Sequence, residues 1–75
     1  MNYRDYIESN HDVMIGKPVI KGTRITVELV LRKLSEGASF EDMLMAYPQL
    51  TLVSINAVLA YASDVIANET LISAA

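Results

Sequence analysis

The sequence predicts a mainly helical α+β domain, in which short N-terminal β-strands precede a three-helix, helix-turn-helix-like bundle. Residues 1–26 alternate short apolar runs with turn-forming residues, which is typical of brief strands. Residues 27–68 contain three segments whose apolar side chains recur at helical spacing. A chain of 75 residues without a linker is expected to form one domain, over residues 1–75, with a tail at residues 69–75.

The composition favours burial of apolar surface between chains. Hydrophobic residues make up 52% of the sequence, which is more than a domain of this size readily hides, and no cysteine is present to cross-link it. We therefore expect a homodimer or a dedicated partner. The polar start is not followed by the apolar segment of a secretory signal, and no apolar run is long enough for a membrane. We expect a cytoplasmic protein with no membrane contact.

Charge is distributed unevenly along the chain. All six cations lie in residues 1–33, together with four acids, whereas residues 34–75 carry five acids and no cation. The net charge is −3. Any anionic partner is therefore expected to meet the N-terminal half.

Short strands joined by turns are predicted in the N-terminal third. Strand candidates are residues 3–7, 13–15 and 19–20. Residues 25–27 alternate in character and fit either a third short strand or the lead into a helix.

The first two helices have recognisable start and stop signals. Thr26 is the predicted N-cap of the first helix, over about residues 27–36, and Gly37 follows where a glycine ends a helix. Ser39 is the predicted N-cap of the second helix. Pro48 ends that helix, because it disfavours helical backbone in the preceding residue.

The third helix is predicted over about residues 52–68, with Thr51 as its N-cap. Its apolar residues cover most of the circumference, which is typical of a helix at the centre of a bundle or in a subunit interface. We therefore predict a dimer or partner interface that contains Val53, Ala57, Ala60, Tyr61, Leu71 and Ile72.

The stretch from Gly16 to Val27 is the most unusual part of the chain. It does not match a phosphate-binding P-loop, because five residues separate Gly16 from Gly22 and Thr23 follows where lysine is required. Either its glycines build tight turns and its cations are solvated, or the cations contact phosphate or an acidic protein surface. The candidate contact residues, which include two from the first helix, are Lys17, Lys21, Arg24, Arg32 and Lys33.

The second and third helices, joined by residues 47–51, have the pattern of a helix-turn-helix. In a DNA-binding version, Thr51, Ser54 and Asn56 would face the bases. The third helix offers no cation for phosphate, so a packing motif in a small core is the competing interpretation. If DNA is bound, the glycine-rich stretch and the first helix must supply the phosphate contacts.

The inventory for catalysis is poor. The chain has one histidine, His11, in a polar turn near Glu8 and Asp12, and no cysteine. A lone histidine of this kind is more often an ordinary surface residue than a ligand or a base. We expect no enzyme activity, metal, cofactor or small-molecule substrate, and a small enzyme is the third hypothesis.

Residues 16–27 resemble the signature of the domain-of-unknown-function family number 433. The resemblance spans about residues 6–63 and continues through further residues in order and at consistent spacing. These are Leu34, Gly37-Ala38-Ser39, Tyr47-Pro48-Gln49-Leu50-Thr51 and Val58-Leu59-Ala60-Tyr61-Ala62.

This resemblance implies a small bacterial or archaeal helix-turn-helix-like fold, often encoded beside a PIN-like ribonuclease toxin. Members of the family are proposed antitoxins, which would have two partners: the toxin, whose active site is blocked, and the promoter of their own operon. The resemblance therefore favours a non-enzymatic antitoxin and autoregulator that binds a PIN-like ribonuclease toxin and operator DNA. The alternative, favoured by the cation-free third helix, is a homodimeric protein-interaction module without nucleic-acid binding.

Overall fold

Two short strands and three helices follow one another along the chain. The computed structural model describes residues 1–12 and 14–68. The strands are β1 (Ile7–Glu8) and β2 (Val19–Ile20), and the helices are α1 (Val27–Ser35), α2 (Phe40–Ala46) and α3 (Leu52–Ala67). The predicted mainly helical α+β fold is confirmed. In the described ranges, no helix is long and apolar enough to cross a membrane.

The two strands form a small antiparallel sheet. Ile7 lies opposite Ile20, and Glu8 lies opposite Val19. Both residues of β2 are buried, whereas β1 alternates between a buried isoleucine and an exposed glutamate. Thr26 makes a single bridge to Val19 rather than a third strand. Residues 25–27 therefore lead into α1, the second of the two predicted options.

Two predicted strand segments are wrong in whole or in part. Tyr3–Asp5 form a 3₁₀ turn, in which the Asn2 side chain accepts a hydrogen bond from the Arg4 N–H at 3.1 Å, so the strand begins only at Ile7. Met14 and Ile15 have φ angles of 52° and 55°. This left-handed backbone is incompatible with a strand. Val13, the first residue of that predicted strand, lies outside the described residues.

The helix caps follow the predicted chemistry. Thr26 Oγ1 accepts from the Leu29 N–H at 3.0 Å at the start of α1, and Gly37 has a φ of +101° just after its end. Such a φ is left-handed backbone that glycine adopts without a steric penalty. The observed α1 is one residue shorter than predicted, and α3 also ends one residue early.

A capping box opens α2 and another opens α3. Ser39 Oγ accepts from the Asp42 N–H at 3.0 Å, and the Asp42 carboxylate accepts from the Ser39 N–H at 2.9 Å. Thr51 and Ser54 exchange the equivalent pair of bonds at the start of α3. Each box satisfies backbone donors that the first turn of a helix leaves free.

One hydrophobic core joins the strands to the helices. α3 contacts α1, α2, β1 and the N-terminal turn, so it is the element on which the others pack. The buried apolar residues come from both strands, all three helices and the intervening loops. They are Ile7, Val19, Ile20, Ile25, Val27, Val30, Met43, Leu50, Ile55, Ala57 and Val58.

Candidate partner-binding site

A four-residue basic loop, residues 21–24, leaves β2 and presents two cations to solvent. Thr23 anchors it, because its hydroxyl donates to the Ile20 carbonyl at 2.8 Å and accepts from the Ile25 N–H at 2.9 Å. Gly22 has a φ of +78°, which glycine adopts most easily. The loop therefore holds Lys21 and Arg24, both exposed, in a defined conformation.

The basic loop lies beside the turn between α2 and α3. Gly22, Thr23 and Arg24 line a shallow cleft together with Gln49 from that turn and Glu8 from β1. Gln49 comes two residues before the N-cap of α3. The fold thus brings a cationic loop and the start of the helix-turn-helix onto one surface.

Two of the five predicted contact cations are committed elsewhere. Glu28 on α1 forms ion pairs with Lys17, at 3.1 Å between Nζ and Oε1, and with Arg32, at 2.8 Å between Nη2 and Oε2. Hydrogen bonds from Lys17 and then Arg32 lower the pKa of the Glu28 carboxyl. Both cations are therefore partly neutralised by this acid.

The other three predicted cations have no such partner. Within residues 1–12 and 14–68, no carboxylate oxygen lies within 4.0 Å of the charged nitrogens of Lys21, Arg24 or Lys33. Lys33 is half-buried on α1, whereas Lys21 and Arg24 are exposed. Of the five cations predicted from sequence, Arg24 is the one that lines the cleft beside the α2–α3 turn.

The three residues predicted to read bases are placed differently from one another. Ser54 is 4% exposed, and its hydroxyl donates to the Thr51 carbonyl at 2.8 Å while it accepts from the Thr51 N–H. Its side chain is therefore committed to the cap of α3. Thr51 and Asn56 are exposed. Base reading by these two residues stays a prediction.

The predicted interface residues on α3 do not share one face. Val53 is 43% exposed, but Ala57 is fully buried in the core of the protomer and cannot contact a partner. The sequence suggested otherwise because an alanine between apolar neighbours gives no sign of which side of a helix is covered. Ala60 is half-buried. Leu71 and Ile72 lie outside the described residues.

Tyr61 packs within its own chain. Its ring meets the Tyr3 ring edge-on, with centroids 5.5 Å apart. The Arg4 guanidinium lies 5.1 Å from the centroid of the Tyr3 ring. A hydrogen bond to the Asp64 carboxylate, with a smaller effect of burial, raises the pKa of Tyr3. The N-terminal turn therefore packs on Tyr61 of α3.

Sequence reasoning missed a second surface, the uncharged face of α3. It consists of the exposed residues Leu52, Asn56, Leu59, Ser63 and Ile66. Leu52 is 52% exposed, Leu59 38% and Ile66 63%. The sequence does show that these three residues recur every seven positions. Because α3 is apolar on all sides, however, the sequence does not show which side of the helix faces solvent.

The surroundings of His11 do not form a metal site. In the part of the chain that the structure describes, no group of three or more histidine, cysteine, aspartate or glutamate side chains is placed to hold a metal ion. His11 is exposed in a turn.

The geometry defines a class of protein: a helix-turn-helix-like α+β domain with a basic loop at its turn. The model of the family described as "Protein of unknown function (DUF433)" matches residues 7–62, and the chain belongs to this family. The fold is also that of a crystal structure, at 2.00 Å resolution, of a DUF433 member protein from Anabaena variabilis ATCC 29413. The two share a TM-score of 0.77 and 28% identity over 81% of this chain and 60% of that chain.

A further relative is the uncharacterized protein y4eO of Sinorhizobium fredii (strain NBRC 101917 / NGR234). It is 37% identical over 59 residues, which are 79% of this chain and 27% of the relative. The chain thus spans about a quarter of the length of this relative. Because neither similar protein has a stated activity, the function must be argued from the surfaces of the domain.

Proposed function

We propose that this chain is a non-enzymatic antitoxin and autoregulator that acts as a cytoplasmic homodimer, binds a PIN-like ribonuclease toxin and contacts operator DNA. The observation that carries the proposal is the basic loop. Its two cations are exposed and free of carboxylate partners within the described ranges, and Thr23 anchors the backbone of the loop that carries them.

The chemistry of Arg24 suits an acidic nuclease site. A guanidinium presents several N–H donors in a planar fork that matches a carboxylate, and charge-assisted bonds of this kind are stronger than neutral ones. A loop already held in its binding conformation loses less entropy on association. Arg24 therefore is the residue we expect to enter the acidic site of the toxin, with Lys21 beside it.

Inhibition of a purified PIN-like ribonuclease encoded beside this chain tests the toxin contact. Arg24→Ala is expected to weaken inhibition by about 30-fold, as for a buried interface arginine. Arg32→Ala is the matched control, because it removes the same side chain from its ion pair with Glu28 and is expected to change inhibition less than about threefold. Equal loss in both variants, or no complex with the wild type, would refute the toxin contact.

DNA contact is favoured by a separate observation, the cleft that joins the basic loop to the turn before α3. The cations of the basic loop would contact phosphates if this surface approached DNA. An electrophoretic shift of the chain's own upstream DNA is expected at low salt and is expected to weaken as salt rises. Lys21→Ala should reduce the dependence of log K on log salt concentration by about one per copy bound. Absence of any salt-sensitive shift, with or without toxin, would remove the regulatory role.

The second candidate function is a homodimeric protein-interaction module without a nucleic-acid role. It is favoured by the uncharged face of α3, where a DNA-binding helix usually carries cations. In that case, replacing Lys17, Lys21 and Arg24 together by alanine is expected to leave any retention on DNA unchanged.

A further inference from the structure

The uncharged face of α3 is unusual for the solvent side of a helix. A surface helix normally carries charged and polar residues opposite its buried stripe. Here Leu52, Leu59 and Ile66 are exposed, and the polar members of the face, Asn56 and Ser63, are uncharged. The face extends from Leu52 to Ile66, a rise of about 21 Å along the helix axis.

The one carboxylate of α3 lies away from this face. At 100° per residue, Asp64 is about 140° around the helix from Leu59. Asp64 instead lies about 60° around the helix from Tyr61, on the side of α3 that meets Tyr3. No charge therefore interrupts the stripe, and a contiguous apolar surface of this kind marks an association site.

We propose that a second copy of this chain covers the uncharged face, with the two α3 helices antiparallel and Leu59 on the two-fold axis. The stripe is symmetric about Leu59, since Leu52 and Ile66 each lie seven residues from it. A seven-residue interval is the repeat with which one helix packs along another. In the antiparallel pair, Leu52 meets Ile66 of the partner subunit, and the same patch serves both copies.

Charge distribution selects the antiparallel arrangement over the parallel one. The basic loop shares a cleft with Gln49 and so lies at the N-terminal end of α3, whereas Asp64 lies near its C-terminal end. Lys21 and Arg24 outnumber Glu8 at the first end, and Arg4 lies on Tyr3 near Asp64 at the second. Antiparallel packing therefore brings the cationic end of each copy towards an end where Asp64 and Arg4 balance. Parallel packing places like charges together, which opposes association.

This pairing has a consequence for DNA binding. Asn56 lies within the uncharged face and would be covered in the dimer, so α3 would not act as a recognition helix. Any nucleic-acid contact would then fall to the two basic loops, one at each end of the paired helices. The inference rests on the homodimer of the proposed function and is independent of its toxin and its operator.

Single cysteines test the arrangement, because the chain has none of its own. Leu59→Cys is expected to form a disulfide dimer under mild oxidation, since the two copies of this residue meet on the axis. Leu52→Cys alone is expected not to cross-link, because its two copies lie about 21 Å apart. A mixture of Leu52→Cys and Ile66→Cys chains is expected to cross-link. Cross-linking of Leu52→Cys alone would establish a parallel pair and overturn the inference.

Sedimentation equilibrium tests whether a second copy of the chain covers the uncharged face. Wild-type protein is expected to be dimeric, and Leu59→Asp is expected to raise the dimer dissociation constant by at least about 100-fold, because two carboxylates would face each other. Val65→Asp is the matched control: Val65 is 49% exposed on the same helix but lies about 120° from Leu59. Circular dichroism checks that both variants remain folded.

Three further results would overturn the inference: a monomeric wild type, a Leu59→Cys chain that does not cross-link, or a dimer lost with Val65→Asp and kept with Leu59→Asp. A monomer whose Leu59→Asp variant no longer captures the ribonuclease would assign the face to the toxin instead. None of these measurements depends on Arg24, so they can fail while the proposed toxin contact holds.

Discussion

The cations of this chain differ in their surroundings: some are paired with a carboxylate and others are not. Glu28 uses one carboxylate oxygen for Lys17 and the other for Arg32, and all three side chains remain more than half exposed. Exposed pairs of this kind contribute little to stability. Arg24, like Lys21, has no described carboxylate partner, so a partner molecule can pair with it without breaking an ion pair within the described residues.

Replacing Glu28 with glutamine is expected to lower stability slightly at neutral pH only. Lys17 and Arg32 lower the pKa of Glu28 in the folded state. The ionised Glu28 therefore stabilises the fold at pH values above the pKa that Glu28 has in the unfolded chain. This stabilisation is lost progressively as the pH falls from the ordinary glutamate pKa of about 4.3 through the lower pKa of the folded state. Urea unfolding of both proteins at pH 7 and pH 3 measures this, and a difference that grows on acidification would contradict it.

At the scale of single elements, the hydroxyl cap of α2 is expected to be needed for its stability. Ser39→Ala removes the acceptor of the Asp42 N–H and is expected to cost about 1 kcal/mol. In a domain of this size, that loss lowers the melting temperature by about 4–8 °C. Ser35→Ala is the control, because Ser35 is equally exposed but its hydroxyl only donates back to the Arg32 carbonyl. Equal shifts in both variants would argue against the cap.

The helices could be predicted from the sequence because their caps are local, whereas the loop between β1 and β2 could not. Thr26, Ser39 and Thr51 cap their helices through bonds to residues three positions away, which a sequence window contains. Ile15 is apolar but left-handed, in a segment where the Ser9 hydroxyl donates to the carbonyl of Gly16 seven residues further on. The spacing of apolar residues in the sequence indicates neither the left-handed backbone nor this hydrogen bond.

The sequence predicts which cations belong to the candidate site, but not which other residues lie beside them. The sequence marks Lys21 and Arg24 as cations of a solvated loop, whereas the cleft that their loop shares with Gln49 depends on how α3 packs against β1. Ala57 was assigned to an interface and is core. Leu59 was recognised as apolar, and only the packing of the other elements shows that it faces outwards.

Two methionines on α2 provide a paired test of the core. Met43 is 2% exposed and Met45 is 82% exposed. Met43→Ala is expected to cost about 2–5 kcal/mol through lost burial and a cavity, which is a large share of the stability of a small domain. Met45→Ala is expected to change stability by less than about 0.5 kcal/mol. Chemical denaturation followed by circular dichroism measures both, and similar values would mean that α2 does not pack as described.

At the scale of the whole molecule, the hairpin formed by β1 and β2 shares one core with the helices. Ile7 and Ile20 from the sheet belong to the same buried cluster as Ile55 and Val58 from α3. A two-stranded sheet of this size is not stable by itself in water. The hairpin therefore depends on α3, and α3 in turn is covered on one side by the hairpin.

This mutual dependence predicts that the sheet and the central helix open together. The Lys21 N–H, which donates to the Tyr6 carbonyl at 2.8 Å, closes the hairpin, and Val58 is fully buried in α3. Because exposing either one disrupts the shared core, both amides are expected to exchange with solvent at about the free energy of global unfolding. Native-state hydrogen exchange in increasing denaturant measures each amide separately. If Lys21 exchanges through an opening that leaves Val58 protected, the hairpin is a separate and weaker unit, and the basic loop that it supports would not be held in the fixed conformation on which the toxin contact depends.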